Sequence, residues 1–423
     1  MITARAFAGK HYAVYGLARS GLATVEALLA SGAKVTAWDD SPEAREKLVS
    51  CEGRSPGLGP CLRRDTEWDL SNFDSLVLSP GVPLNRHPLA ARAKAANLEI
   101  IGDIELFARA RGELPPHKVV GITGTNGKST TTALIHHILQ TAGVPSAMGG
   151  NIGLPILAQE PLSPNDKGAG VYVLELSSYQ LDLTQSLDCD VAVLLNITPD
   201  HLDRYENFDA YAASKARLFE LSSGLHVQGC IPAKAGIQSG LLPSQEHNWP
   251  ALQGPHNLEN ATAAIAVCKA LGLSEEAIEQ GLRTFPGLPH RMERVRERDG
   301  VIFVNDSKAT NSTAAAPALA AFPAIRWILG GRAKSDDLDE CAPHFGHVRS
   351  AYTIGEAAEL FERLLKPHMP VKNCHELEAA VKAAAQDAES GDTVLLSPVC
   401  ASFDQFKDFE ERGDRFRGLV GAL

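Results

Sequence analysis

Apolar runs of about five residues alternate with Ala/Leu-rich stretches of helical periodicity through the first hundred or so positions. HYAVYG, KVTAWDD and SLVLSPG read as strands, and Ser20 to Ser31 and Leu89 to Asn97 as helices. Such alternation predicts βαβ units on a parallel sheet. The pattern restarts with KVVGITGTNGKS, VYVLELSS and VAVLLNITPD, whose continuous apolar runs suit strands covered on both faces. After the turn-rich FPGLPHR (285–291) it restarts again with VIFVNDS, IRWILGG, SAYTIG and DTVLLSP. The expected fold is therefore α/β in several domains, with boundaries near Phe107 to Pro116 and near Pro286 to Pro289. Residues 222–254, rich in Gly, Pro, Ser and Gln, show neither period and read as loop.

The length of 423 residues is ample for such a chain, and 44% apolar with 22% charged residues excludes disordered and coiled-coil classes. A net charge of −11 leaves no general pull toward nucleic acid or anionic membrane, so a polyanionic substrate must be met by local groups. No leader-like apolar segment opens the chain and no run of about 18 apolar residues occurs, so a cytoplasmic, non-spanning protein is expected. The eight cysteines form no CxxC pair and read as reduced thiols.

The strongest chemical signal is VVGITGTNGKSTTTALIHHIL, a strand, a glycine turn and a helix in the order a phosphate-binding loop requires. Glycines admit backbone N–H groups to phosphate oxygens, the helix start adds positive potential, Lys128 reaches the β/γ-phosphates and Ser129 can hold Mg²⁺. The turn is a variant, because Ile122 stands where the first glycine of GxxxxGK[ST] belongs. A second turn, Gly16 to Gly21, followed by Asp39 at the next strand end, suits a phosphate or nucleotide group at a helix start. With Ala18 in the middle it supports intact dinucleotide binding only weakly. Glu175 and the pair Asp200-His201 end neighbouring strands, where α/β sheets bind ligands. Taken alone, Glu175 also reads as a capping carboxylate and His201 as a structural histidine. NDSKATN (305–311) ends a strand before an Ala-rich helix and, taken by itself, also reads as a cap of that helix; GGRAK (330–334) and the stretch from Ser397 to Phe409 also follow strands.

Together GTNGKST, GDIELF, GGNIGLP, LELSSYQL, GLPHRME, NDSKATN and SPVCASFDQFKDFEERG resemble the ATP-dependent Mur ligases of peptidoglycan precursor synthesis, over nearly the whole chain. The resemblance implies three domains: an N-terminal Rossmann-like domain for UDP (1–107), a central P-loop ATPase with a mainly parallel sheet (108–287) and a C-terminal Rossmann-like α/β domain that closes over the site (288–423). It also implies a member that joins D-glutamate to UDP-N-acetylmuramoyl-L-alanine through an acyl phosphate, working as a monomer with no nucleic-acid or membrane partner. ATP would be held by Gly124, Thr125, Asn126, Gly127, Lys128, Ser129 and Thr130, with Asn257, Asn260, Arg291, Asp306 and Lys308. One or two Mg²⁺ would be ligated by Ser129, Glu175, His201 and Lys215, the last carbamylated by CO₂; read alone, Lys215 is a solvated lysine. Asn151 and Ser177 would contact the muramoyl group and Ser20 and Asp39 the UDP, while Thr310, Lys334, Ser402 and Phe409 would surround D-glutamate.

Two departures stand out. Arg332 replaces a small or acidic residue common in the family, and 222–250 is short and lacks a recognisable strand, so no site is assigned there. Three rivals remain on the residues themselves: another amide ligase of the superfamily, a P-loop switch or motor, which leaves NDSKATN unexplained, and a nicotinamide oxidoreductase resting on GLARSG alone.

Overall fold

The structure is a computed structural model and describes residues 1–46, 68–198, 204–228, 249–252, 255–333 and 335–423. Three sheets follow one another along the chain. The first is built from β1 (His11–Tyr15), α1 (Arg19–Ala30), β2 (Lys34–Trp38), β3 (Ser75–Leu78), α2 (Pro88–Ala95) and β4 (Ile100–Ile101), in the order β2-β1-β3-β4 and wholly parallel. Helix α3 (Asp103–Ala110) leads out of it.

The second sheet runs through β5 (His117–Thr123), α4 (Lys128–Thr141), β6 (Ser146–Gly150), β7 (Gly170–Glu175), α5 (Ser178–Asp182), β8 (Val191–Leu194), α6 (Phe208–Leu221) and β9 (Leu225–Gln228). Its order is β6-β7-β5-β8-β9, again parallel, with every residue of β7 and β8 buried as their unbroken apolar runs require. Strand β9 corrects the loop reading of 222–254 at 225–228. It is a short edge strand of which only Val227 is buried, so no apolar period announces it. Helices α7 (Pro255–Ala270) and α8 (Glu275–Thr284) follow.

The third sheet comprises β10 (Glu293–Arg298), β11 (Val301–Asn305), α9 (Ser312–Ala320), β12 (Ile325–Gly330), β13 (Val348–Ile354), α10 (Ala358–Leu365), β14 (Val371–His375), α11 (Leu377–Asp387), β15 (Thr393–Leu396) and α12 (Phe409–Gly421). Only β10 is antiparallel, in the order β10-β11-β15-β12-β13-β14. Its two faces are covered by separate apolar clusters, one centred on Trp327 and Phe361 and the other on Tyr352 and Phe416.

By packing, the described chain forms two compact units, residues 1–244 with 259–282 and residues 245–258 with 283–423. Within the first, one apolar cluster runs from Phe7, Tyr12 and Val14 through Phe107 to Tyr172 and Leu218, so its two sheets share a core. No helix among the described residues is long and apolar enough to cross a membrane.

Candidate active site

Strand β5 is flanked by β7 and β8, with Ile122 paired to Glu175 and Thr123 to Leu194. The strand ends therefore gather the glycine loop, Glu175 and Asn196 along one edge. Helix α4 starts at Lys128 behind Gly127, whose φ of 84° is left-handed. A Cβ there would collide with Asn260 Oδ1 and crowd Leu195, so conformation and space both demand glycine. No side chain caps α4, which leaves its first-turn N–H groups for an anion. Lys128 Nζ donates to the carbonyls of Gly124 and Thr125, both at 2.9 Å, holding its charge over the loop. Ser129 and Thr130 are buried in the first turn.

The loop is braced by residues that sequence reasoning missed. Asn196 Oδ1 accepts from Asn126 N at 2.9 Å and Asn196 Nδ2 donates to Asn126 O at 3.1 Å. Thr125 Oγ1 lies 3.1 Å from the Tyr211 hydroxyl. The signal for Asn196 was available, as a polar side chain closing the apolar run VAVLL. Asn260 accepts from Thr131 Oγ1 at 3.2 Å, which ties α7 to α4, and Asn257 is buried on α7.

Glu175 is 2% exposed; Asn151 Nδ2 donates to its Oε1 at 3.2 Å, while its Oε2 is buried with no hydrogen-bond partner. An orphaned buried carboxylate oxygen is costly, and as a hard oxygen near the Ser129 turn it fits Mg²⁺. Asp200 and His201 lie outside the described residues, and among the described ones no group of three metal-ligating side chains occurs. Ser177 forms a capping box on α5, accepting from Gln180 N at 3.2 Å.

Lys215 is not solvated. It is 2% exposed on α6, its Nζ donates to Gly124 O at 2.8 Å, and it lies 4.7 Å from the Tyr211 ring centroid. On the first sheet, Asp39 accepts from Leu17 N at 2.6 Å and Ser41 N at 2.8 Å, fastening the Gly16 turn to the end of β2, while Ser20 sits half-buried in the first turn of α1.

In the second unit, Asp306 is buried behind β11, accepting from Met292 N at 3.1 Å and Ser397 Oγ at 2.9 Å. Burial pushes its carboxyl up to about 7, opposed by the Ser397 bond and the Arg291 charge. Arg291 Nε is itself buried with no hydrogen-bond partner. Lys308 Nζ lies 5.2 Å from the Phe409 ring centroid, Thr310 is half-buried before α9 and Ser402 is 2% exposed. Capping explains only one residue of NDSKATN, since Asn311 accepts from Ala314 N whereas Asn305 Nδ2 donates to Glu293 and to Gly413 O. Arg412, unread in the sequence, is 1% exposed and donates to Ser307 Oγ, Ser307 O and Cys400 O at 2.9, 2.9 and 3.0 Å, binding two of the strand-end loops together. Burial lowers its guanidinium to about 10. In the second of these loops, next to Cys400, Val399 holds φ 63°, a costly left-handed setting for a β-branched residue. Arg332 pairs with Glu356 at 3.0 Å on the surface, and Lys334 lies outside the described residues.

Residues 122–228 match the family model of the Mur ligase middle domain, and residues 290–400 that of the Mur ligase, glutamate ligase domain. Among curated proteins, the chain is 58% identical to the UDP-N-acetylmuramoylalanine--D-glutamate ligase of Novosphingobium aromaticivorans, covering 100% of this chain and 97% of that protein. It is 52% identical to the ligase of the same name from Zymomonas mobilis, covering 100% of both. In fold it is similar to the UDP-N-acetylmuramate-alanine ligase of Thermotoga maritima, at a TM-score of 0.60 with 16% identity, covering 98% of this chain and 99% of that one. The MurF ligase of the same organism, solved in complex with ADP, gives a TM-score of 0.56 at 16% identity over 99% and 97% of the two chains.

Proposed function

The chain belongs to the Mur ligase family, as an ATP-dependent ligase that adds D-glutamate to UDP-N-acetylmuramoyl-L-alanine in peptidoglycan precursor synthesis, and from that premise we propose the route and the residues of the step. The full-length similarity to curated D-glutamate ligases carries the substrate assignment. The substrate carboxylate attacks the γ-phosphate of ATP, giving an acyl phosphate and ADP. The D-glutamate amine then adds to the acyl carbon and inorganic phosphate leaves.

The uncapped start of α4, with Lys128, Ser129, Thr130 and the loop Gly124 to Gly127, receives the phosphates. Lys128 exchanges two loop carbonyls for phosphate oxygens and so neutralises charge where two anions meet. Mg²⁺ supplies further neutralisation and in-line geometry when bound. Glu175, Ser129 and His201 are the residues we assign to hold it; the orphaned Oε2 of Glu175 supports this. A carbamate on Lys215, formed by its neutral amine and CO₂ with loss of a proton, would add oxygen ligands, and the burial of Lys215 against the loop carbonyl supports that placement.

We assign Asn257, Asn260, Arg291, Asp306 and Lys308 to the nucleotide, Asn151 and Ser177 to the muramoyl group, and Ser20 and Asp39 to UDP. Thr310, Lys334, Ser402 and Phe409 are assigned to D-glutamate. The same reading divides the chain into domains 1–107, 108–287 and 288–423, acting as a cytoplasmic monomer without nucleic-acid or membrane partners. Transfer of ¹⁸O from the labelled muramoyl-alanine carboxylate into inorganic phosphate tests the acyl phosphate. Unlabelled phosphate at full turnover would exclude it.

A further inference from the structure

Asn305 opens NDSKATN, yet none of the three substrates is assigned to it, and the cap of the helix that follows is Asn311. Its side chain is fully buried at the end of β11, among groups that leave its amide a single orientation. Oδ1 accepts from Ser307 N at 3.2 Å. Nδ2 faces three acceptors: His290 Nδ1 at 3.0 Å, Glu293 Oε2 at 3.0 Å and Gly413 O at 3.2 Å. An aspartate would turn an oxygen on all three, so the position requires an amide and not merely a polar group.

Two of the three acceptors belong to the segment 290–293, whose backbone is unusual. His290 and Met292 hold φ of 61° and 48°, left-handed settings uncommon outside glycine. Such settings persist only where the surroundings over-determine them, and here every turn of the segment is tied down. Glu293 Oε2 accepts from His290 N at 2.8 Å as well as from Asn305. Lys308 N donates to His290 O at 3.0 Å, and Met292 N donates to Asp306 Oδ1 at 3.1 Å. Helix α12 closes the other side: Arg417 pairs with Glu293 at 2.9 Å, and Gly413 lies so near the His290 ring that a Cβ there would collide with it.

Arg291 stands between the two left-handed residues. Its Nε is buried with no hydrogen-bond partner, an N–H that a ligand oxygen would satisfy, and its charge lies near Asp306. No bond at Nε fixes the guanidinium, which therefore takes its direction from the backbone on either side. That backbone is held by the Asn305 amide through both His290 and Glu293.

We propose that Asn305 is a positioning residue for ATP: its one amide locks the 290–293 turn and so aims the Arg291 guanidinium at the nucleotide. This rests on the assignment of Arg291 to the nucleotide. Having no exposed surface, Asn305 does not touch ATP, and its effect on binding passes through the turn it holds.

The test is a double-mutant cycle on the full chain, read by equilibrium binding of ATP with the other two substrates withheld and by thermal melting of the same samples. Arg291→Ala should weaken ATP binding at least about tenfold, and Asn305→Ala by a comparable factor, but Asn305→Ala should add less than about twofold in the Arg291→Ala background. The melting temperature should fall on Asn305→Ala in both backgrounds. An amide with a structural role alone would lower the melting temperature while the folded protein keeps its affinity, or would weaken binding by the same factor in both backgrounds; either result overturns the proposal. If Asn305→Ala shows no thermal transition, Glu293→Ala, at the partly exposed side of the same turn, takes its place in the cycle with the same two readings. Parent-like binding by Arg291→Ala would overturn the nucleotide assignment and the proposal with it, whereas weak binding by Arg291→Ala beside parent-like binding by Asn305→Ala overturns the role of Asn305 alone.

Discussion

Lys128 and Lys215 both donate to the carbonyl of Gly124, yet their expected chemistry is opposite. On the assignment proposed above Lys128 is a point charge on the phosphates, so Lys128→Ala should lower turnover by orders of magnitude while the protein stays folded. A folded variant near the parent rate would remove the P-loop assignment. Lys215 is expected to act as an anion after carbamylation. Lys215→Ala and Lys215→Arg should then both be nearly inactive, with a small carboxylate restoring part of the rate of the alanine variant; full activity of the arginine variant contradicts this. Asp306 gives a pH signature. Its carboxyl is raised in the folded protein, which therefore binds more protons than the unfolded chain between about pH 4 and pH 7. Stability should fall as pH rises through that window, and Asp103 adds in the same direction. Thermal melts should show a smaller fall for Asp306→Asn, and an unchanged slope would mean that Asp306 is ionised throughout. Candidate chemistry at strand ends was legible because glycines, carboxylates and amides interrupt apolar runs there. Arg412 was not, since nothing local distinguishes a buried guanidinium from the charged residues around it in EERGDR.

At the scale of elements, the glycine turn before α4 is the least replaceable piece. Gly127→Ala must adopt φ near 84° and also displace the buried Asn260, so nucleotide affinity should drop at least tenfold and the melting temperature should fall as well. Equilibrium binding of ADP checks this, and parent-like affinity would show that the loop relaxes freely. Which strands could be read in advance follows from their position in the sheets. Buried runs such as YVLE and VAVLL declare themselves by composition, whereas β4, β6, β9, β10 and β14 do not. All five are edge strands, where one neighbour suffices and polar residues are tolerated: β10 reads ERVRER and β14 VKNCH, with no fully buried residue in either.

For the whole molecule, the restarting βαβ pattern revealed the three sheets, because each restart is local in sequence. The shared apolar core of the first two sheets was not legible, since it joins residues as distant as Phe7 and Leu218, which no periodicity connects. Substrate identity likewise came from motifs spread along the chain rather than from any one strand or pocket. The central claim is that ATP turnover is tied to amide formation between two specific partners. The most direct measurement is ADP formation by the purified protein with UDP-N-acetylmuramoyl-L-alanine and D-glutamate supplied singly and together, with L-glutamate in parallel. Sustained ADP release only when both substrates are present, and with D-glutamate but not L-glutamate, is the expected result; equal release without the amino acid, or with either enantiomer, would contradict it.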